Sequence, residues 1–285
     1  MPILTVANRY LQLAPVIVTS PTARCGTTLV QRLLTTSDNA FVYGEEVGHQ
    51  IRTVTVWLIG LLRHFDRAHP GMNADFERAL AGTLADWRPG LTAPAEVMRA
   101  AWTETFYQLP SALSEFSRSV SRPVWGFKFP SYDRDTLKAF LSLMPRARVI
   151  YLIRNVCDAL SSAKARRFVI GEEDTGRFCA VWAKNMREIV ELGLDQRVLF
   201  VKYEDLLARP EEHLQLLAQF TGAQGIDPKA FDLKVNTFEG AEAEGFSPTQ
   251  YIAPEPLTES DRAIIMAKAG PVLTHLYADP FRTAA

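Results

Sequence analysis

Polar and apolar positions along this chain fall into two kinds of run. Short, nearly unbroken apolar runs lie at 16–19, 124–128, 148–153 and 197–201. Their length and their Val, Ile and Phe content predict strands buried on both faces. Longer stretches place apolar residues three and four apart. These predict helices over 27–36, 49–65, 74–86, 94–117, 134–143, 155–166, 175–192, 211–221 and 259–276. Strands alternating with helices imply an α/β fold with a central, mostly parallel sheet flanked by helices on both faces. The segment 46–122 has no strand pattern and reads as a helical insertion between two strands. Such a block can cap the carboxyl ends of the strands, where open α/β sheets bind ligands. Residues 237–256 combine Gly, Pro and acidic residues with little periodicity, which predicts a loop that is either functional, as a lid, or disordered.

Composition narrows the field. The 285 residues suit one large α/β domain, and 47% hydrophobic content supplies a core. Lys plus Arg total 31 against 32 for Asp plus Glu, so no global basic field addresses nucleic acid and any anion site is local. The three cysteines, Cys25, Cys157 and Cys179, have neither disulfide-framework nor metal-site spacing. Cys157 and Cys179 read as small buried apolar residues. The longest apolar stretch, 54–62, is far short of the roughly 20 residues of a membrane span. The N-terminus lacks the charged and apolar regions of an export signal, so a soluble cytoplasmic protein is expected.

The first chemistry-bearing motif is Ser20-Pro21-Thr22-Ala23-Arg24-Cys25-Gly26-Thr27-Thr28, between a predicted strand and a predicted helix. A strand, a tight loop and a helix start, with one cation and two adjacent hydroxyls, form an anion-binding device. It is not the ATP-binding loop. Arg24 precedes Gly26, no Lys follows that glycine, and the earlier glycine is missing. The second motif runs from Arg148 to Ser162. It predicts a strand ending at Arg154, with Asn155 as helix N-cap and Asp158 three residues on. Ser162, seven residues after Asn155, shares its helix face, and an Arg fork at the strand end converging with that serine suits a terminal phosphate.

These motifs resemble those of sulfotransferases that use 3′-phosphoadenosine 5′-phosphosulfate (PAPS). In that family Lys or Arg precedes Ser-Gly-Thr-Thr, and Arg24-Cys25-Gly26-Thr27-Thr28 matches it with Cys25 in place of the usual Ser. The family binds the nucleotide's 3′-phosphate with an Arg at a strand end and a Ser eight residues on, the spacing of Arg154 and Ser162. Arg166, one turn further, would add a cation. A strand followed by Tyr203-Glu204-Asp205 and Pro210 resembles the family's strand, Tyr-Glu-Asp turn and helix, which would bring Tyr203 near the adenine; packing at the strand end is its other reading. The three matches run in family order over most of 16–222. The resemblance implies a P-loop-like architecture in one sulfotransferase domain over 1–285. Its co-substrate would be PAPS, its product adenosine 3′,5′-bisphosphate, and it would need no metal.

Sulfuryl transfer needs cations on the leaving oxygen and a base for the acceptor's proton. Arg24 and Lys128 are the candidate cations. Lys128 stands in Lys128-Phe129-Pro130 at a predicted strand end, matching the family's Lys-x-Pro. For the base, Gly44-Glu45-Glu46 is similar to the Gly-Glu-Glu of tyrosylprotein sulfotransferases, one residue further from the loop, where the second Glu acts. The carry-over falls on Glu46, with Glu45 and then His49 behind it. The family's basic C-terminal run is missing, and Ser247 or Thr249 would substitute. The expected acceptor is a hydroxyl on a small molecule, sugar, lipid or phenol, peptide tyrosine included. Trp57, Phe65, Trp102, Phe106 and Tyr107 either face it or belong to the core. A homodimer stays open. The competing readings are a P-loop kinase or nucleotide hydrolase, and a non-catalytic nucleotide-binding protein. The first is opposed by the missing Gly-Lys pair and by the lack of an acidic residue ending the 148–153 strand.

Overall fold

The computed structural model describes residues 9–83, 91–193, 195–232 and 252–278. Five parallel strands form one sheet in the order β2-β3-β1-β4-β5: β1 (Val16–Thr19), β2 (Ala40–Tyr43), β3 (Val124–Lys128), β4 (Arg148–Ile153) and β5 (Val198–Lys202). Alternate residues of each strand face opposite layers. Ile17, Phe127, Val149 and Tyr151 pack in one core, and Val16, Val18, Ile150 and Leu152 in the other. Helices therefore cover both faces, as the unbroken apolar runs require. Helices α1 (Thr27–Thr35) and α8 (Pro210–Thr221) contribute to the second core. Those contributing to the first include α4 (Arg134–Leu143), α5 (Val156–Lys164), α6 (Gly171–Ile189) and α9 (Glu259–Leu276).

The helices obey their local signals. Asp133 caps α4 by accepting from Thr136 N, and Asn155 caps α5 by accepting from Cys157 N. Pro210 opens α8, and Gly222, at φ +82°, closes it. Thr258 and Asp261 form a capping box at the start of α9. Asp261 also accepts from Lys164 Nζ at 2.7 Å, tying α9 to α5. Ser161, in α5, exchanges bonds with the Glu255 backbone just before α9.

The structure differs from the sequence expectation in three places. Strand β2 is extra: its four residues follow a turn and carry too short a pattern to read. The helices expected at 49–65 and 74–86 are one helix, α2 (Glu45–Leu80), which runs unbroken through the lapse in apolar periodicity between them; residues 84–86 lie outside the described residues. A short helix, α7 (Tyr203–Ala208), follows β5 directly. The helical insertion is α2 with α3 (Ala95–Ser119), and it joins β2 to β3. Its buried Ile51, Leu58, Leu62, Phe106 and Tyr107 pack with Trp125 and Phe127 under one sheet face. The expected loop at 237–256, with Ser247 and Thr249, lies outside the described residues up to 251. Among the described residues, no helix is long and apolar enough to cross a membrane.

Candidate functional site

A parallel sheet brings all its carboxyl ends to one edge, and each of the five strands delivers a chemistry-bearing residue there. β1 leads into the Arg24 loop, β2 into Gly44-Glu45-Glu46, β3 ends at Lys128, β4 runs into Arg154, and β5 runs into Tyr203. This edge is where open α/β sheets bind ligands.

The loop after β1 is held from below. Ser20 Oγ donates to Thr22 O at 2.7 Å, and Asn185 Nδ2, from α6, donates to Pro21 O at 2.8 Å. Arg24 has φ +69°, a left-handed conformation that is costly for a residue with a Cβ. Arg154 Nη1 fixes it by donating to Arg24 O at 2.8 Å. Gly26, at φ +93°, is the N-cap of α1 and offers no side chain to the first N–H groups of the helix. A Cβ on Gly26 would lie 2.3 Å from Tyr203 Cδ2, so the ring closes directly over the glycine. Cys25 is fully buried beside Thr22 Oγ1, and burial pushes its thiol up; it is a neutral packing group.

Three arginines gather beyond the loop. Arg24 Nε donates to Ser162 Oγ at 3.2 Å. Burial, then the charges of Arg166 and Arg154, pull the Arg24 guanidinium down to about 10, which leaves it a cation at neutral pH. The Arg154 guanidinium lies 4.4 Å from the centre of the Tyr203 ring, and its Nε is buried with no hydrogen-bond partner. Among the described residues, neither Arg24 nor Arg154 has a carboxylate within ion-pair distance. Like charges packed this closely, with a buried donor left over, fit an oxyanion of high charge. Trp182 Nε1 holds Arg154 O at 3.1 Å, and Glu204 accepts from Asn155 N at 2.8 Å, so the turn after β4 is braced from α6 and α7.

The β3 end is arranged differently. Lys128 is buried and donates to Thr28 Oγ1 at 3.2 Å and to the Glu45 carboxylate. A Cβ on Gly48 would come within 2.6 Å of Lys128 O, and Tyr132 OH donates to Gly48 O at 2.6 Å, so the start of α2 is pressed against the end of β3. Glu46 is exposed and accepts from Gln50. Exposed His49 has its ring 6.0 Å from that of Phe129. A cleft of about 390 Å³ borders this group, lined by Thr28, Gln31, Arg32, Thr35, Phe41, Val42, Tyr43 and Gly44.

The structure thus brings Arg24, Arg154, Ser162 and Tyr203 into contact at one end, and Thr28, Lys128 and Glu45 at the other. Thr27 and Arg166 are buried. Tyr203 lies on Gly26 and Arg154. Glu46 touches none of the candidate cations directly. Phe65, Phe106 and Tyr107 are core, whereas Trp57 is exposed. Cys157 and Cys179 are buried thiols pushed up to about 12 by that burial. Sequence reasoning missed Asn185, Trp182 and Phe168, which lies 5.8 Å from the Arg24 guanidinium. None of these stands at a readable spacing from the motifs it serves.

A family model described as the sulfotransferase family matches residues 15–228. No curated protein matches the chain. Among solved structures it is similar to a sulfotransferase domain from the curacin biosynthetic pathway, with 18% identity, 90% of this chain and 98% of that chain covered, and a TM-score of 0.49. A sulfotransferase domain from the Synechococcus PCC 7002 olefin synthase gives 19%, 89%, 94% and 0.49 in the same order. A sulfotransferase from Alicyclobacillus acidocaldarius gives 12%, 94%, 96% and 0.48.

Proposed function

This chain belongs to the sulfotransferase family, and on that premise we propose that it transfers a sulfuryl group from PAPS to an acceptor hydroxyl. The observation that carries the reading is the cluster of Arg24, Arg154 and Arg166, with Ser162 bonded to Arg24, joined through one loop to Lys128. It supplies cations at two separated points, as a nucleotide phosphorylated at both ends demands. Arg154, Ser162 and Arg166 would hold the 3′-phosphate. Gly26, Thr27 and Thr28, with the N–H groups opening α1, would hold the 5′-phosphosulfate. Cys25 packs beneath, and Tyr203 orders the loop between the two ends.

In the transfer step, the acceptor oxygen forms a bond to sulfur as the bond from sulfur to the bridging oxygen breaks. The acceptor's proton passes to a carboxylate, and Arg24 and Lys128 stabilise the charge left on the leaving oxygen. Glu46 is the proposed base. Glu45, on the same turn, is already engaged by Lys128, whereas Glu46 is open to an incoming hydroxyl. The cleft beside Thr28 and Gly44 has room for the body of the acceptor next to this group.

Turnover of sulfur-labelled PAPS with a panel of phenol, sugar and lipid alcohols tests the activity. The expected result is label transfer that Glu46→Gln reduces at least about a hundredfold. Magnesium-dependent hydrolysis of ATP, with no use of PAPS, would show the competing P-loop reading instead.

A further inference from the structure

Lys128 and Glu45 form an unequal pair. The lysine side chain is 5% exposed and the glutamate side chain 54%. A buried ammonium is stable only while an anion or strong acceptors face it. Among the described residues those partners are the Glu45 carboxylate and the Thr28 hydroxyl. The cation is fixed, at the end of β3 under the first turn of α2. Its anion sits on a long side chain that leans out into water.

Thr28 belongs to the loop that would receive the 5′-phosphosulfate. An anion seated there meets the same ammonium from the loop side, and two anions on one ammonium repel each other. Glu45 can swing into solvent at little cost, whereas Lys128 cannot move without losing its burial. Arg24 and Arg154, by contrast, have no such partner among the described residues. We propose that Glu45 is a displaceable counter-ion. It holds Lys128 aimed at Thr28 in the free protein, and it yields that place when the nucleotide arrives. Glu45 acts through Lys128 and is a positioning residue. The proposal rests on the PAPS reading above.

The test is calorimetric titration with adenosine 3′,5′-bisphosphate at neutral pH and low salt. It compares the parent protein, Glu45→Gln, Glu46→Gln, Lys128→Ala and the Glu45→Gln/Lys128→Ala double variant. Removing a competing counter-ion should tighten binding by about three- to tenfold, the size of a partly buried ion pair. Removing the neighbouring charge in Glu46→Gln should change it by less than about twofold, because Glu46 is exposed, bonds to Gln50 and does not touch Lys128. In the Lys128→Ala background, Glu45→Gln should have no effect. A Glu45→Gln affinity equal to or weaker than that of the parent overturns the proposal, as does tightening that survives without Lys128. Failure of the folded parent to bind the nucleotide sinks the PAPS reading itself, and this proposal with it.

Discussion

At the β4 end of the site Arg24, Arg154 and Arg166 lie close together, with Ser162 on Arg24 and the Arg154 turn braced by α6 and α7. At the β3 end one buried lysine already holds a carboxylate. On the proposed reading the arginine end binds: its charges lie close together and repel one another, and an anion from outside would relieve that repulsion. On the same reading the lysine end, already paired with Glu45, would hold its geometry before the donor arrives and work during the transfer. Fixed planar forks suit a terminal phosphate, and a single ammonium suits an oxygen whose charge changes.

Perturbing each end separately should separate binding from turnover. Lys128→Ala has the largest expected effect. Turnover of PAPS should fall about 10²–10³-fold, the range for loss of one group that stabilises transition-state charge. Nucleotide affinity should fall far less, and comparing kcat with a titration checks this. Arg154→Ala comes next. Loss of charge-assisted contacts should weaken adenosine 3′,5′-bisphosphate about 10- to 100-fold, while adenosine 5′-monophosphate, which lacks the 3′-phosphate, changes little.

A smaller effect tests the support beneath the arginine end. Burial alone would raise the Asp261 carboxyl, but bonds from Lys164 and Thr258 outweigh it and hold the group below its usual value. A depressed carboxyl contributes stability that is fully present above its unfolded pKa and is lost as pH falls through the folded value. Asp261→Asn should therefore cost about 2 kcal/mol at neutral pH. The difference from the parent should shrink below about pH 4, followed by chemical denaturation across pH. The smallest effect is at Cys25. Its thiol is a buried packing group, so Cys25→Ser should change nucleotide affinity by less than about threefold. A large loss there would give the loop's sulfur a role that its burial denies.

Much of this contrast was legible in the sequence, because a parallel α/β fold writes its site into strand-to-helix junctions. Arg24, Lys128, Arg154 and Tyr203 each follow an apolar run, and the runs alone place them on one edge. Ser162 was legible from its helical spacing to Asn155 and from the family's Arg-to-Ser interval after Arg154. The choice between Glu45 and Glu46 as partner of Lys128 was not, since adjacent residues on a helix point about 100° apart and only the docking of α2 on β3 selects one. Asn185 and Trp182 were hidden for a related reason. They reach the loop and Arg154 from α6, across a tertiary contact that leaves no local pattern. β2 was lost because four residues beside a turn carry too few alternations to register.

The central claim is that the site grips a nucleotide at two ends, and comparing two ligands in one titration tests it most directly. Adenosine 3′,5′-bisphosphate should bind the parent protein at least about 30-fold more tightly than adenosine 5′-monophosphate, with the gap closing in Arg154→Ala. Equal affinities for the two nucleotides in the parent would contradict the account.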